Sequence, residues 1–492
     1  MRRRTVAWIA LVAWITTLGL ASTADAGRYV IVYERQAVPA DAAERIERAG
    51  GRLLAAYDAI GVAIAESDNE LFRRGLLRDR RVGAAALTEL VGGIEGAGGA
   101  EDMGPPPGDL PNAPATDGDT FSAIQWNMRK IKAAAPDVAH AITGGSPSVV
   151  VGVIDTGLDA THPDLDANVD ASNSVSCVGG VPNQTPSAWD DDSGHGTHVA
   201  GLIAAESNGI GIVGVAPNVK IAAIKASQRV GTRDIFRPEA VVCALMWAGD
   251  RHLDVANNSY SVDQELITDA LDFFCHNDPE DQAYIKAIQR ASHYAVKQGV
   301  TLVAAAGNQM LDLAHPAAGN SCIRMPAELP AFLTVSSTGT ADELSAFSNY
   351  GVGVIDVAAP GGNIPPAPPA GFILSTWPGK FFFGTLLCDP VQTPCPMNAP
   401  GVAYYRFMAG TSQATAHVSG VAALVVSRFG DTHSFENGKL RPGQVEAIIE
   451  QTADPIPCPP DPTTCEGDEG YNGWYGHGRV NALRAILHQA GG

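Results

Sequence analysis

The sequence predicts an α/β protein: a parallel sheet flanked by helices on both faces, preceded by a small α/β-sandwich domain. From about residue 121 onward, apolar and β-branched runs (SVVVGVID at 148–155, VKIAAIKA at 219–226, LDVANNS at 253–259, TLVAAAG at 301–307, FLTVSS at 332–337, VIDVAAP at 354–360) alternate with helix-like segments. Runs of this kind are buried on both faces, and helical crossovers between them imply parallel pairing. Residues 28 to 90 repeat the alternation on a smaller scale, and 492 residues suffice for a large core plus a second unit.

In chain order, Arg2, Arg3 and Arg4 precede an apolar stretch from Val6 to Leu20, and Ala24-Asp25-Ala26 offers small residues around a cleavage point before Gly27. Residues 1–26 therefore read as a secretory signal peptide; as a membrane anchor the stretch is short and broken by threonines. A soluble product outside the cytoplasm, extracellular or periplasmic, is expected, with no membrane association after signal removal. Residues 27–91 carry a strand (RYVIVYE), a helix (DAAERIERAG), two strands (RLLAAYD, GVAIAES), a helix (NELFRRGLL) and an apolar VGAAALTEL. Residues 92–120 are rich in Gly, Pro and acid and poor in periodicity, which predicts a flexible linker. The remaining chain, 121–492, is one domain.

The net charge of −20 excludes phosphate-rich partners, which require clustered Lys and Arg. Eight cysteines in an exported chain point to disulfides rather than thiol catalysis or zinc, and no CxxC pattern occurs. Eight cysteines allow 105 connectivities; the simplest scheme joins the neighbours Cys388–Cys395 and Cys458–Cys465, closes loops with Cys275–Cys322, and leaves Cys177 for Cys243.

Three segments supply the chemistry. Asp155 ends the first buried run, His195 lies at the helix-like start of DSGHGTHVAGLIAA, and Ser412 follows Gly410-Thr411 into an apolar helix. A serine hydroxyl is a weak nucleophile; a neutral imidazole must take its proton, and a buried carboxylate must orient that imidazole and stabilise the imidazolium. The chain order Asp, His, Ser distinguishes one of several unrelated folds that converge on this set. With these contexts, residues 121–492 resemble the subtilisin-like serine proteases (subtilases), down to the closing YGHGRVNALRAI.

The resemblance carries further expectations. Residues 27–91 look like the subtilase propeptide, best in AYDAIGVAIAE, which assists folding and occupies the active site until a cut in the linker. Asn308 in AAAGNQ matches the oxyanion donor. The substrate would pair with Ser259-Tyr260-Ser261, with Ala306 and Gly307 on a pocket wall. Tyr260 and Ser261 depart from the family's small, Gly-containing run, and Gln413 and Ala416 stand where Met and Pro are commoner. The insertion between Gly361 and Met408 precedes the nucleophile and either restricts the cleft or is a stapled surface loop. His162, His198 and His417 are packing residues. No cofactor takes part in the chemistry, but the resemblance implies structural calcium held by the Asp164 and Asn208 side chains and the Glu206, Ile210 and Ile212 carbonyls; a gap-free match for the additional ligand near the mature N-terminus falls on Ser122.

The expected function is thus a secreted serine endopeptidase acting on proteins or peptides, with its own propeptide as partner and a monomer as the default state. Two alternatives stand beside it: a narrow processing protease, in which Asp190-Asp191-Asp192 favour basic residues near the scissile bond, and a silent subtilase fold used for binding.

Overall fold

The computed structural model describes residues 27–88, 118–134, 138–262, 274–316, 322–363, 371–381, 386–396, 398–430, 440–460 and 464–488. The expected signal peptide, most of the linker and its cleavage site, and parts of the 361–408 insertion lie outside them.

The first unit consists of β1 (Gly27–Tyr33), α1 (Ala42–Arg48), β2 (Arg52–Tyr57), β3 (Val62–Ser67), α2 (Phe72–Leu76) and β4 (Val82–Leu87), forming an antiparallel sheet of order β2-β3-β1-β4. Side chains alternate across a strand, so each strand feeds two cores. Tyr29, Ile31, Tyr33, Ala63 and Ala65 pack with Ile46 and Phe72 of the unit's own helices. Val30, Val32, Val62, Ile64, Ala84 and Ala86 face the other way and join the core of the large domain.

That domain continues through α3 (Trp126–Lys130), α4 (Ala139–Ile142), β5 (Val150–Asp155), β6 (Val175–Ser176), α5 (Pro186–Trp189), α6 (His195–Ala204), β7 (Lys220–Lys225), the hairpin β8 (Ser227–Val230) and β9 (Arg233–Phe236), α7 (Pro238–Asp250) and β10 (Val255–Asn258). After these come β11 (Phe274–Cys275), α8 (Asp281–Lys297), β12 (Thr301–Ala305), β13 (Cys322–Ile323), β14 (Phe332–Thr338), β15 (Val357–Pro360), β16 (Ile373–Thr376), β17 (Leu387–Asp389), β18 (Ala403–Met408), α9 (Thr411–Phe429), α10 (Pro442–Thr452) and α11 (Ala482–Leu487). A seven-stranded sheet of order β15-β14-β12-β10-β5-β7-β6 is parallel at each pairing. The six apolar runs account for six strands; β6, two residues long, is too short for a periodicity signal.

One face of this sheet is covered by α6 and α9, whose apolar residues share a core with Val151, Val153 and Val303. The opposite face packs α7 and α8 against Ile154, Ala256 and Leu302. Because α7 and α8 also receive the small unit's sheet, they are sandwiched between two sheets. All four disulfides pair as expected: Cys177–Cys243, Cys275–Cys322, Cys388–Cys395 and Cys458–Cys465. Among the described residues no helix is long and apolar enough to cross a membrane.

Candidate active site

The interior strand β5, paired between β10 and β7, ends at Asp155, which is fully buried. Its Oδ1 accepts hydrogen bonds from the Thr156 amide at 2.7 Å and from His195 Nδ1 at 2.8 Å. The imidazole therefore carries its proton on Nδ1, leaving Nε2 to accept one. His195 opens α6, and the glycines around it are steric necessities. A Cβ on Gly196 would lie 2.2 Å from the Gly157 carbonyl oxygen, so only glycine lets the helix start approach the aspartate loop this closely. Gly194 has φ +105° and abuts the Trp377 ring, 2.5 Å from where a Cβ would sit.

Burial opposes protonation of His195, but Asp155, by charge and hydrogen bond, together with Asp234 and Asp191, outweighs it, and the pKa is raised. His198 shows the opposite balance. Burial first, then the neighbouring His195, pushes it down to about 3, and it bonds Arg406 O at 3.0 Å and Gln413 Nε2 at 3.4 Å. His417 is likewise neutral, pushed down to about 4 by burial, between Gln413 O and Asn127. His162 bonds Tyr404 O at 2.9 Å, and burial lowers its pKa.

Ser412 sits in the first turn of α9, the helix end that presents a partial positive charge. Its Oγ donates to Ser259 O at 3.3 Å, so the hydroxyl must rotate to reach an imidazole. The packing that links α6 to α9 runs through the Gln413–His198 contact, one residue past the serine and one turn past His195. Asn308 follows β12, and its Oδ1 accepts from the Thr411 amide at 2.8 Å and Thr411 Oγ1 at 3.0 Å. That fixes the carboxamide beside the nucleophile: Asn308, Ser412, Thr411, Ser259, Tyr260, Ser261, Gly307 and Ala305 line one narrow cleft.

Ala306 is therefore a correction. It is 1% exposed, with its amide bonded to Val335 O and its carbonyl to Asn349, while Ala305 faces the cleft. Tyr260 turns inward, stacked on Phe236 at 4.4 Å, its hydroxyl donating to Asn258 Oδ1. The triplet 190–192 is not a continuous acidic surface: Asp190 pairs with Lys380 and Asp192 with Lys225, each at 2.7 Å, and Asp191 is buried. The insertion forms the sheet β16-β18-β17, and β16 runs along α6, with Ser375 Oγ donating to His198 O and Thr376 Oγ1 to Thr197 O. It braces the histidine helix, a role no sequence signal announced.

The calcium donor set can be tested against the loop at 206–212. Asp164 Oδ2 accepts from the Ile212 amide and the Tyr405 hydroxyl, whereas Oδ1 is buried without a hydrogen bond among the described residues. Burial, with Asp119 and Glu206 adding to it, pushes Asp164 up to about 9 against those two bonds. An orphaned, electrostatically stressed carboxylate oxygen fits a cation. Asn208 folds its Oδ1 back onto the Ile210 amide and its Nδ2 onto Pro163 O. Three or more acidic, His or Cys side chains do not converge on a metal position among the described residues, so a site here rests largely on backbone carbonyls. The N-terminal side chain that reaches the loop is that of Asp119, accepting from the Asn208 and Gly209 amides, while the Phe121 amide donates to Gly211 O and the Ser122 hydroxyl bonds Asp119 O.

A seven-stranded parallel sheet that sets an aspartate at the end of an interior strand, and a histidine and a serine at two helix starts, defines a serine-hydrolase-like α/β architecture. Residues 146–478 match the subtilase family model (Peptidase S8), and the chain belongs to that family. A thermophilic serine proteinase of Bacillus sp. (strain AK1) is 31% identical over 72% of this chain and 65% of its own length. An alkaline protease of Alkalihalobacillus alcalophilus is 32% identical over 65% of this chain and 63% of its own. The chain thus spans a little under two thirds of these relatives. The crystal structure of the epidermin leader peptide processing serine protease of Staphylococcus aureus aligns with TM-score 0.66 at 22% identity, covering 94% of this chain and 98% of that one. Fervidolysin of Fervidobacterium pennivorans aligns with TM-score 0.66 at 23% identity over 94% of this chain and 61% of that one. At those identities both show the fold.

Proposed function

We propose that the protein is a secreted serine endopeptidase, made as a precursor whose residues 27–91 are a propeptide. The observation that carries the reading is the buried 2.8 Å bond from His195 Nδ1 to Asp155 Oδ1, in a subtilase chain whose Ser412 and Asn308 share a cleft. Ser412 Oγ turns from Ser259 O, gives its proton to His195 Nε2 and attacks the scissile carbonyl carbon. Asp155 stabilises the imidazolium that results. Negative charge on the former carbonyl oxygen meets the Asn308 side chain and the Ser412 amide, which sits at the positive end of α9. Collapse breaks the C–N bond as His195 returns the proton to the leaving amine; water then repeats the cycle on the acyl-enzyme.

The calcium proposed for the 206–212 loop would be held by Asp164, Asn208 and the carbonyls of Glu206, Ile210 and Ile212. It would supply rigidity and no chemical step. The small unit fits a propeptide because it is docked on α7, α8 and the loop after β6 by side-chain-to-carbonyl hydrogen bonds that any release must break: Arg290 to Tyr33 O and Ile60 O, Arg237 to Thr88 O, Tyr57 to Gly180 O and Tyr284 to Leu87 O. Hydrolysis of a denatured protein by the purified chain, compared with Ser412→Ala, tests the reading. Turnover confined to the unsubstituted chain and a stable precursor in the variant are expected. Equal turnover, or normal self-maturation of the purified variant, contradicts it.

A further inference from the structure

Asp191 is fully buried four residues before His195, and its carboxylate collects five hydrogen bonds from two separate parts of the active site. Oδ1 accepts from Thr156 Oγ1 at 2.9 Å, the Ser193 amide at 3.0 Å and the Gly194 amide at 2.8 Å. Oδ2 accepts from the Thr197 amide at 3.0 Å and Thr197 Oγ1 at 2.6 Å. Thr156 adjoins Asp155, whereas Ser193, Gly194 and Thr197 flank His195. Both threonine hydroxyls are relays: Thr156 Oγ1 also accepts from the Gly196 amide at 2.9 Å, and Thr197 Oγ1 from the Asp159 amide at 3.0 Å. A buried carboxylate so fully donated to holds its donors rigidly. The negative charge also lies at the amino end of α6, where the helix favours it.

We propose that Asp191 is a positioning residue for catalysis: it ties the Asp155 loop to the start of the His195 helix and so fixes the geometry of the Asp155–His195 pair. This rests on the triad assigned above. Asp191 touches no reacting atom; it acts through Thr156, Gly194 and Thr197. The charged and titratable groups bearing on His195 are Asp155 from β5, Asp234 from β9, itself bonded to Arg229 and Ser193, Asp191 from the preceding loop, and His198 on the same helix.

The test compares full-length Asp191→Asn, Thr156→Val and the control variants Asp190→Asn and Asp192→Asn after maturation, by kcat, KM and the pH dependence of kcat/KM. Asp191→Asn keeps the shape but turns an amide group toward donors and removes a charge. A kcat loss of about 10²-fold with KM nearly unchanged is expected, the scale of an ångström-level misplacement, together with a shift of the acid limb to lower pH. Thr156→Val breaks one arm and keeps the charge, so kcat falls about 10-fold while the acid limb stays. The two controls retain unsubstituted kinetics. A folded Asp191→Asn with unsubstituted kcat and acid limb overturns the proposal; if that variant does not fold, unsubstituted kinetics of Thr156→Val overturn it. A folded but inactive unsubstituted chain overturns the triad assignment itself and this proposal with it, an outcome distinct from active protein insensitive to Asp191.

Discussion

At His195, burial and charge pull in opposite directions and charge wins, so the imidazole protonates at a higher pH than an ordinary histidine. Catalysis needs the neutral form. Activity is therefore lost as pH falls through the raised value, and the acid limb of kcat/KM is expected above the usual histidine range; a limb below it contradicts the balance. Asn308→Ala should lower kcat by about 10²–10³ with little change in KM, the loss that removal of such a donor causes in a subtilisin. The positions of Asp155, His195, Asn308 and Ser412 were legible because each lies where a buried run meets a turn or helix start. Asp191 was not legible as a hub: three adjacent aspartates look alike in sequence, and only the tertiary fold buries the middle one. The same blindness put Ala306 on the cleft wall in place of Ala305, since strand phase is fixed by pairing with β14.

Elements differ in what anchors them. The Cys177–Cys243 disulfide joins the loop after β6 to α7 across 66 residues, whereas Cys388–Cys395 closes only 7. In the chain-entropy view the first contributes about 4 kcal/mol and the second about 2–3 kcal/mol. Paired Cys→Ala variants in denaturant unfolding should rank in that order. The 206–212 loop, proposed to hold calcium, gives a second element-scale prediction. Asp164, raised to about 9, holds a proton in the cation-free protein, and the protonated form is a poor ligand. Calcium affinity should therefore rise with pH through about 9, and chelation should lower the unfolding temperature of the unsubstituted chain but not of Asp164→Asn. Titration calorimetry across pH checks the first, thermal unfolding the second. Six of the seven strands of the large sheet were readable from apolar runs; the two-residue β6, the strands β8, β9, β16 and β18, and the bracing of α6 by β16 were not, because they depend on contacts with distant segments.

In the whole molecule, one core runs from the large sheet through α7 and α8 to the small unit's sheet, which closes it. Glu239, at the first turn of α7, is wholly buried near Thr88; burial raises its pKa, and Thr88, Arg237 and Arg28 oppose the rise. If the unit leaves, Glu239 regains water. A group whose pKa is higher in the docked state favours docking below its free value and loses that contribution as pH rises through the docked value. The cleaved unit should therefore co-elute with the enzyme at acid pH and separate more readily at alkaline pH, with Glu239→Gln weakening this dependence; size-exclusion chromatography reads both. A break in periodicity leads the sequence to be read as two units; the docking surface of the small unit was not legible, since both faces of its sheet are apolar. The most direct test of the central claim is reaction of the intact, matured protein with a serine-directed fluorophosphonate followed by peptide mapping. Stoichiometric labelling at Ser412, absent from Ser412→Ala and greatly slowed in His195→Ala, is the predicted result; a folded protein that does not label, or labels elsewhere, contradicts it.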